Sequence, residues 1–112
     1  MRRYLFIVAA LLVWPVAAAA DRISGMTPAE RCAYDTKLQL LAVHFHGKGT
    51  PRAEVKIHWH GDETLAEIDF INRALDAGYA MIEREIEAGR KDTPLQILGD
   101  RLFEACMSGA DT

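Results

Sequence analysis

The chain has 112 residues, 50% of them hydrophobic and 26% charged, with 13 basic against 16 acidic side chains and a net charge of −3. These figures describe one ordinary globular domain and exclude a disordered or multidomain chain. The two cysteines, Cys32 and Cys106, allow a single intramolecular pairing.

The apolar residues are unevenly spread. Arg2 and Arg3 precede an almost wholly apolar run from Tyr4 to Trp14, followed by Pro15, Val16 and four alanines ending at Ala20. This is the layout of a secretory signal peptide: a charged start, an apolar middle from Leu5 to Val13, a helix break at Pro15, and small residues at Ala18 and Ala20 for the peptidase. Cleavage is expected before Asp21, leaving a single helical domain over residues 21–112. The continuous apolar run is about half of the roughly 20 residues a spanning helix needs, so no membrane span is expected after cleavage. No Cys follows the apolar run, which argues against a lipoprotein anchor.

Without Arg2 and Arg3 the exported part carries 11 basic residues against 16 acidic ones, a net charge of −5. No segment gathers Lys or Arg on one face. Nucleic acid and anionic membrane surfaces are therefore disfavoured partners. Export also places Cys32 and Cys106 in an oxidising compartment, where they are expected to pair. Closing that loop of 74 residues is worth on the order of 4 kcal/mol in the chain-entropy account.

Residues 21–26 read as a frayed tail. Thr27-Pro28-Ala29-Glu30 then opens a first helix, with Thr27 as N-cap, Pro28 at a position that loses no helical bond, and Glu30 reaching back to the cap. Tyr34, Leu38, Leu41 and Phe45 follow at helical spacing as its core stripe, and Gly47 and Gly49 end it. A second helix starts at Asp62 or Thr64, with Glu67 in the capping-box position. Ile68, Ile71, Leu75, Tyr79, Ile82 and Ile86 recur along it. Gly78 costs about 1 kcal/mol against alanine and suits a close neighbour. Gly89 reads as the residue just past the end, followed by Arg90 and Lys91 at the negative pole of the helix. Thr93-Pro94-Leu95-Gln96 opens a third helix, with Leu95, Leu98, Leu102 and Cys106 on one face, Phe103 beside them, and an end at Gly109. A Cys32–Cys106 bond would set the first and third helices side by side and antiparallel. The expected fold is all-α, a small three-helix domain tied by one disulfide.

The connection from Thr50 to Gly61 differs in texture. Val55, Ile57 and Trp59 alternate with Glu54, Lys56, His58 and His60, a period of two that predicts an extended stretch with one apolar and one polar face. It is expected to lie across the bundle with Trp59 as its anchor. His44 and His46 point apart on a helix, whereas His58 and His60 on an extended chain face the same way, about 6.5 to 7 Å apart at Cα. That pair, with His46 or Asp62 as further donors, could hold Zn²⁺, Cu²⁺ or Ni²⁺. The His58-x-His60-x-Asp62 spacing partly matches a metallo-β-lactamase-type signature, but Glu63 stands where its last histidine belongs, and the match is rejected. Ser24 and Ser108 are the only serines and lie near the chain ends, outside any nucleophile-elbow pattern, and no phosphate-binding glycine loop follows a strand. No catalytic residue or resident cofactor is expected.

With the motifs Thr27-Pro28-Ala29-Glu30-Arg31-Cys32, the stretch Val55 to Glu63, and Phe103-Glu104-Ala105-Cys106 in hand, the chain resembles small two-cysteine exported helical proteins of Gram-negative bacteria. That resemblance carries over no site residue. In outline alone it is also similar to the acid-stress chaperones of the enteric periplasm. The leading expectation is a periplasmic or secreted, non-enzymatic helical protein that binds a protein or another envelope component. Arg52, Lys56, His58, Trp59 and His60 form the expected contact surface. The alternatives are a metal-binding protein using His58 and His60, and a pH-responsive chaperone in which the histidines gain charge on acidification. Intact-mass measurement of the exported protein should give the mass of residues 21–112 less two hydrogens; the mass of the full chain, or of two free thiols, would contradict the leader or the disulfide.

Overall fold

A computed structural model of the chain describes residues 22–110. The leader assigned to residues 1–20 and its cleavage site lie outside the described residues. Those that are described form three α-helices, α1 (Pro28–Gly47), α2 (Leu65–Glu87) and α3 (Leu95–Ala110), with a short 3₁₀ turn at Arg52–Glu54 and no strand. None of the helices is long and apolar enough to cross a membrane. The Cys32–Cys106 disulfide is present, with its Cα atoms 5.6 Å apart.

The start of α1 follows the expected chemistry. Thr27 Oγ1 accepts from the Glu30 N–H at 3.1 Å, and the Glu30 carboxylate accepts from the Thr27 N–H at 3.1 Å. That second hydrogen bond holds the Glu30 carboxyl below its ordinary pKa of 4.5. At the other end the chain turns through Gly49, at φ +80°, and the Thr50 N–H reaches back to the Phe45 carbonyl, so Gly49 supplies the left-handed residue while Gly47 stays helical. The end of α2 repeats the device at Gly89, φ +76°, with the Arg90 N–H on the Glu85 carbonyl at 2.8 Å.

Thr64 is the cap of α2, accepting from the Glu67 N–H at 3.1 Å. Two expectations for α3 are corrected. It begins at Leu95, one residue later than a Thr93 cap would place it, with the Pro94 carbonyl accepting from the Leu98 N–H at 3.1 Å, and the Thr93 hydroxyl donates to the Arg90 carbonyl at 2.8 Å in the preceding turn. Gly109 does not end it, since the helix continues to Ala110. Leu98 is its buried residue, while Leu95 and Ile97 face outward, more than two-fifths exposed.

The directions of the helices follow from who meets whom. Cys32 meets Cys106 and Leu40 meets Gly99, so α1 and α3 are antiparallel. Tyr34 stacks on Phe70 with centroids 5.6 Å apart, Ala42 and Gln39 lie against Gly78, and His46 packs on Tyr79. These pairs ascend together, so α1 and α2 run parallel. Parallel neighbours cannot be joined by a tight turn. The 17 residues from the C-cap Lys48 to the N-cap Thr64 must therefore return along the length of α1, about 30 Å for its 20 residues. The extended segment thus runs back along the helix pair rather than across the bundle.

The return path is pinned near its start. The buried Tyr79 hydroxyl donates to the Thr50 carbonyl at 2.6 Å, and burial raises its pKa, which keeps it a donor. Arg52 bonds Asp76 at 2.7 Å and Asn72 Oδ1 at 2.9 Å. Val55 and Ile57 then press onto the core of Ala42, Leu75 and Tyr79. At the turn into α3, Glu85 accepts from Arg90 Nε at 2.8 Å and lies 3.9 Å from Arg101, and the Arg90 hydrogen bond lowers its pKa.

A Cβ on Gly78 would lie 2.6 Å from the Ala42 Cβ and 2.7 Å from the Gln39 carbonyl oxygen. Gly78→Ala should therefore destabilise by about 1–3 kcal/mol through overpacking, although helix propensity alone favours alanine. Urea unfolding measures this; an unchanged or raised midpoint would show that the helices are not in this contact.

Candidate functional site

One groove of the molecule follows from the α1–α2 contact. Small side chains and glycine let these helices meet closely, so the buried residues of α1 are Cys32, Thr36, Leu38, Gln39 and Ala42. The expected core stripe Tyr34, Leu38, Leu41 and Phe45 keeps contact with α2, Tyr34 on Phe70 and Phe45 on the core, and also forms one wall of a groove of about 400 Å³. Leu38 is buried, but Leu41 is 43% exposed. Ile71 and Leu75 of α2 form the floor, and the segment from Val55 to His60 forms the opposite wall. A few hundred cubic ångströms lined mainly by apolar groups is the size of a ligand-binding cleft.

Trp59 corrects a sequence expectation. It is 41% exposed and lines the groove, while Val55 and Ile57 anchor the segment to the core. Trp59 stands two residues before the turn at Gly61, φ +99°, beyond the pair that packs on the core.

The polar ends of the groove are organised by residues read from sequence as a loose tail. Residues 22–25 form a turn, closed by the Met26 N–H on the Ile23 carbonyl at 3.1 Å, and Ile23 and Met26 add apolar surface to the groove. Arg22 is the clamp. Its backbone N–H donates to Glu67 at 3.2 Å, its guanidinium lies 3.7 Å from the same carboxylate, and it also pairs with Asp62. The Glu67 side chain, 6% exposed, therefore leaves its capping-box role for a partner brought in by the fold. The one sequence signal was the pair of apolar residues, Ile23 and Met26, three apart in an otherwise polar tail. Glu63 folds back to accept from the N–H groups of His60 and Gly61, the latter at 2.9 Å. The His60 hydrogen bond holds its carboxyl below 4.5.

The expected contact residues separate into two groups. Lys56, His58, Trp59 and His60 share the groove. Arg52 and His46 do not: both line a separate depression with Tyr79 and Glu83, Arg52 committed to Asp76, and His46 Nε2 4.0 Å from Glu83. Asp62 is engaged by Arg22. Among the described residues no group of three or more His, Cys, Asp or Glu side chains is placed to hold one metal ion. His58 and His60 thus stand without His46 or a third donor at their side.

Comparison with protein families, with curated proteins and with solved structures finds no match to this chain. The reading of the site accordingly rests on its geometry.

The lowered pKa of Glu63 sets a pH dependence. Its hydrogen bonds to the turn contribute fully above about 4.5 and are lost as pH falls through the lower folded value. Hydrogen exchange at the His60 and Gly61 amides should therefore accelerate, beyond the intrinsic pH effect, as pH drops below 4.5. In Glu63→Gln the extra acceleration should vanish; its persistence would remove Glu63 as the cause.

Proposed function

We propose that this is an exported, non-enzymatic binding protein of the bacterial envelope, periplasmic or secreted, whose site is the groove between α1, α2 and the segment 55–60. The observation that carries the reading is the use made of the strongest apolar stripe in α1. Tyr34 of that stripe stacks on Phe70, Leu38 is buried and Phe45 packs on the core, yet the stripe also walls an open cleft with Leu41 and Trp59 exposed at its edge. Apolar surface left open by the packing of its own helices is surface available to a partner. The disulfide supports an oxidising compartment. A chaperone role would use the same cleft, which His58 and His60 also line.

Titration of the exported protein with the apolar fluorophore 8-anilinonaphthalene-1-sulfonate tests the site. Saturable binding with energy transfer from Trp59 is expected, and Leu41→Glu, which alters an exposed wall residue, should weaken it roughly 10-fold or more. Trp59→Phe identifies the donor. Binding unaffected by Leu41→Glu, or no saturable binding, would refute the groove as the site.

A further inference from the structure

The wall of the groove has a property that its volume does not convey. Val55 is extended, and Val55 and Ile57 pack inward while Lys56 and His58 are exposed, the alternation of an extended chain; none of residues 56–59 makes a hydrogen bond or ion pair to any other described residue, through backbone or side chain. The stretch is pinned on both sides instead. Before it, the Val55 N–H bonds the Arg52 carbonyl at 3.2 Å; after it, the His60 and Gly61 N–H groups bond Glu63. An extended chain held at both ends, with its own donors and acceptors unpaired, is a preformed strand edge. It lies directly beside an apolar cleft. Main-chain pairing for affinity with adjacent pockets for alternate side chains is the arrangement by which proteins add a peptide strand.

The charges around the cleft narrow the partner. Arg22 is neutralised by Asp62 and Glu67, and Glu63 is turned to the backbone of its own turn, beside His60. Lys56 and His58 remain without an acidic partner on the free edge. In a protein with more acidic than basic residues, Lys56 is a cation left open beside the cleft. Opposite charges facing across paired strands are favourable and like charges are not. A second copy lacks that complement, since the stretch 56–59 holds a lysine and no acidic side chain.

We infer that the groove takes an extended polypeptide alternating apolar and acidic side chains, which adds as a strand to the backbone edge of residues 56–59 and lowers its apolar side chains toward Leu41 and Ile71. This rests on the groove being the binding site, as proposed above. The partner's acidic side chains would face Lys56 and His58. Since the N–H and C=O of successive residues in an extended chain point to opposite edges, a single added strand engages alternate residues, either 56 and 58 or 57 and 59.

The test uses ¹⁵N-labelled exported protein at pH 6 and an acetylated, amidated heptapeptide alternating valine and glutamate. Its two controls are the same peptide with N-methylated backbone amides on one edge, made in both registers, and a version with lysine for glutamate. Binding is read by Trp59 emission and amide exchange. The parent peptide should shift Trp59 emission to shorter wavelength and slow exchange at alternate amides of residues 56–59. One N-methylated register and the lysine version should each bind roughly 10-fold or more weakly. Lys56→Gln should weaken the parent peptide and narrow its advantage over the lysine version. Equal binding of both N-methylated registers, or a lack of alternation in protection, would overturn strand addition. Equal binding of the lysine peptide would overturn the acidic preference. A chain that ignores all the peptides but still binds the fluorophore in a Leu41-dependent manner would refute this inference and leave the groove as a site. Loss of both would refute the two together, and a doubled mass with exchange protection in the absence of peptide would show that the occupant is a second copy.

Discussion

At Gly78 the backbone of α2 lies so close to the Gln39 backbone and the Ala42 Cβ of α1 that no room remains for a single methyl group. Much of the architecture follows from that contact. Helices meeting through small residues come together backbone to backbone, and here they do so in parallel. A parallel pair must be joined by a chain that travels the length of the helix it leaves, and the 48–64 connection does this work. It occupies the place a descending helix would take in an up-and-down bundle. Because it is extended rather than helical, it is thinner and leaves a cleft where a helix would have filled the space.

The same contact decides which side chains of α1 become core. A helix that buries Ala42 and Gln39 against one neighbour and Cys32 and Thr36 toward another has committed two of its faces, and Leu41 is left on a third. Val55 and Ile57 cover part of that face. Leu41 and Trp59 remain at the opening. Arg22 ties the chain before α1 to Asp62 and Glu67, closing one end of the cleft, while Tyr79 and Arg52 fix the segment toward the other. Only the middle of the segment, residues 56–59, lacks such ties.

The disulfide and α3 hold the opposite side. Cys32 is buried near the start of α1, and its bond to Cys106 anchors the far end of α3, while Glu85 gathers Arg90 and Arg101 at the turn where α3 begins. A small domain buries a modest fraction of its unfolded surface, and a cross-link over 74 residues offsets that shortfall. The stabilising cross-link thus lies between α1 and α3, and the open cleft lies along α1 and α2. A protein built this way can leave apolar surface exposed on one side because the other is covalently closed.

What is local was legible in the amino-acid order. Thr27, Pro28 and Glu30 fix the start of α1 with hydrogen bonds spanning three residues, Thr64 does the same for α2, and Gly49 and Gly89 end helices because each must adopt a positive φ. The single cysteine pairing and the period-two texture of residues 54–60 needed no tertiary information either. Thr93 shows the limit: its spacing to Gln96 suits a cap, but the helix begins at Leu95 and the Thr93 hydroxyl donates into the preceding turn, to the Arg90 carbonyl. Direction and facing were decided only in three dimensions. Tyr34, Leu38, Leu41 and Phe45 have the spacing of a core stripe whether they meet a helix or an open cleft, and Ile23 and Met26 look like tail residues until Arg22 finds Glu67, 45 residues away. Periodicity records that one face of a helix is apolar. What covers that face depends on which neighbour can approach most closely, and that was settled by a glycine on another helix.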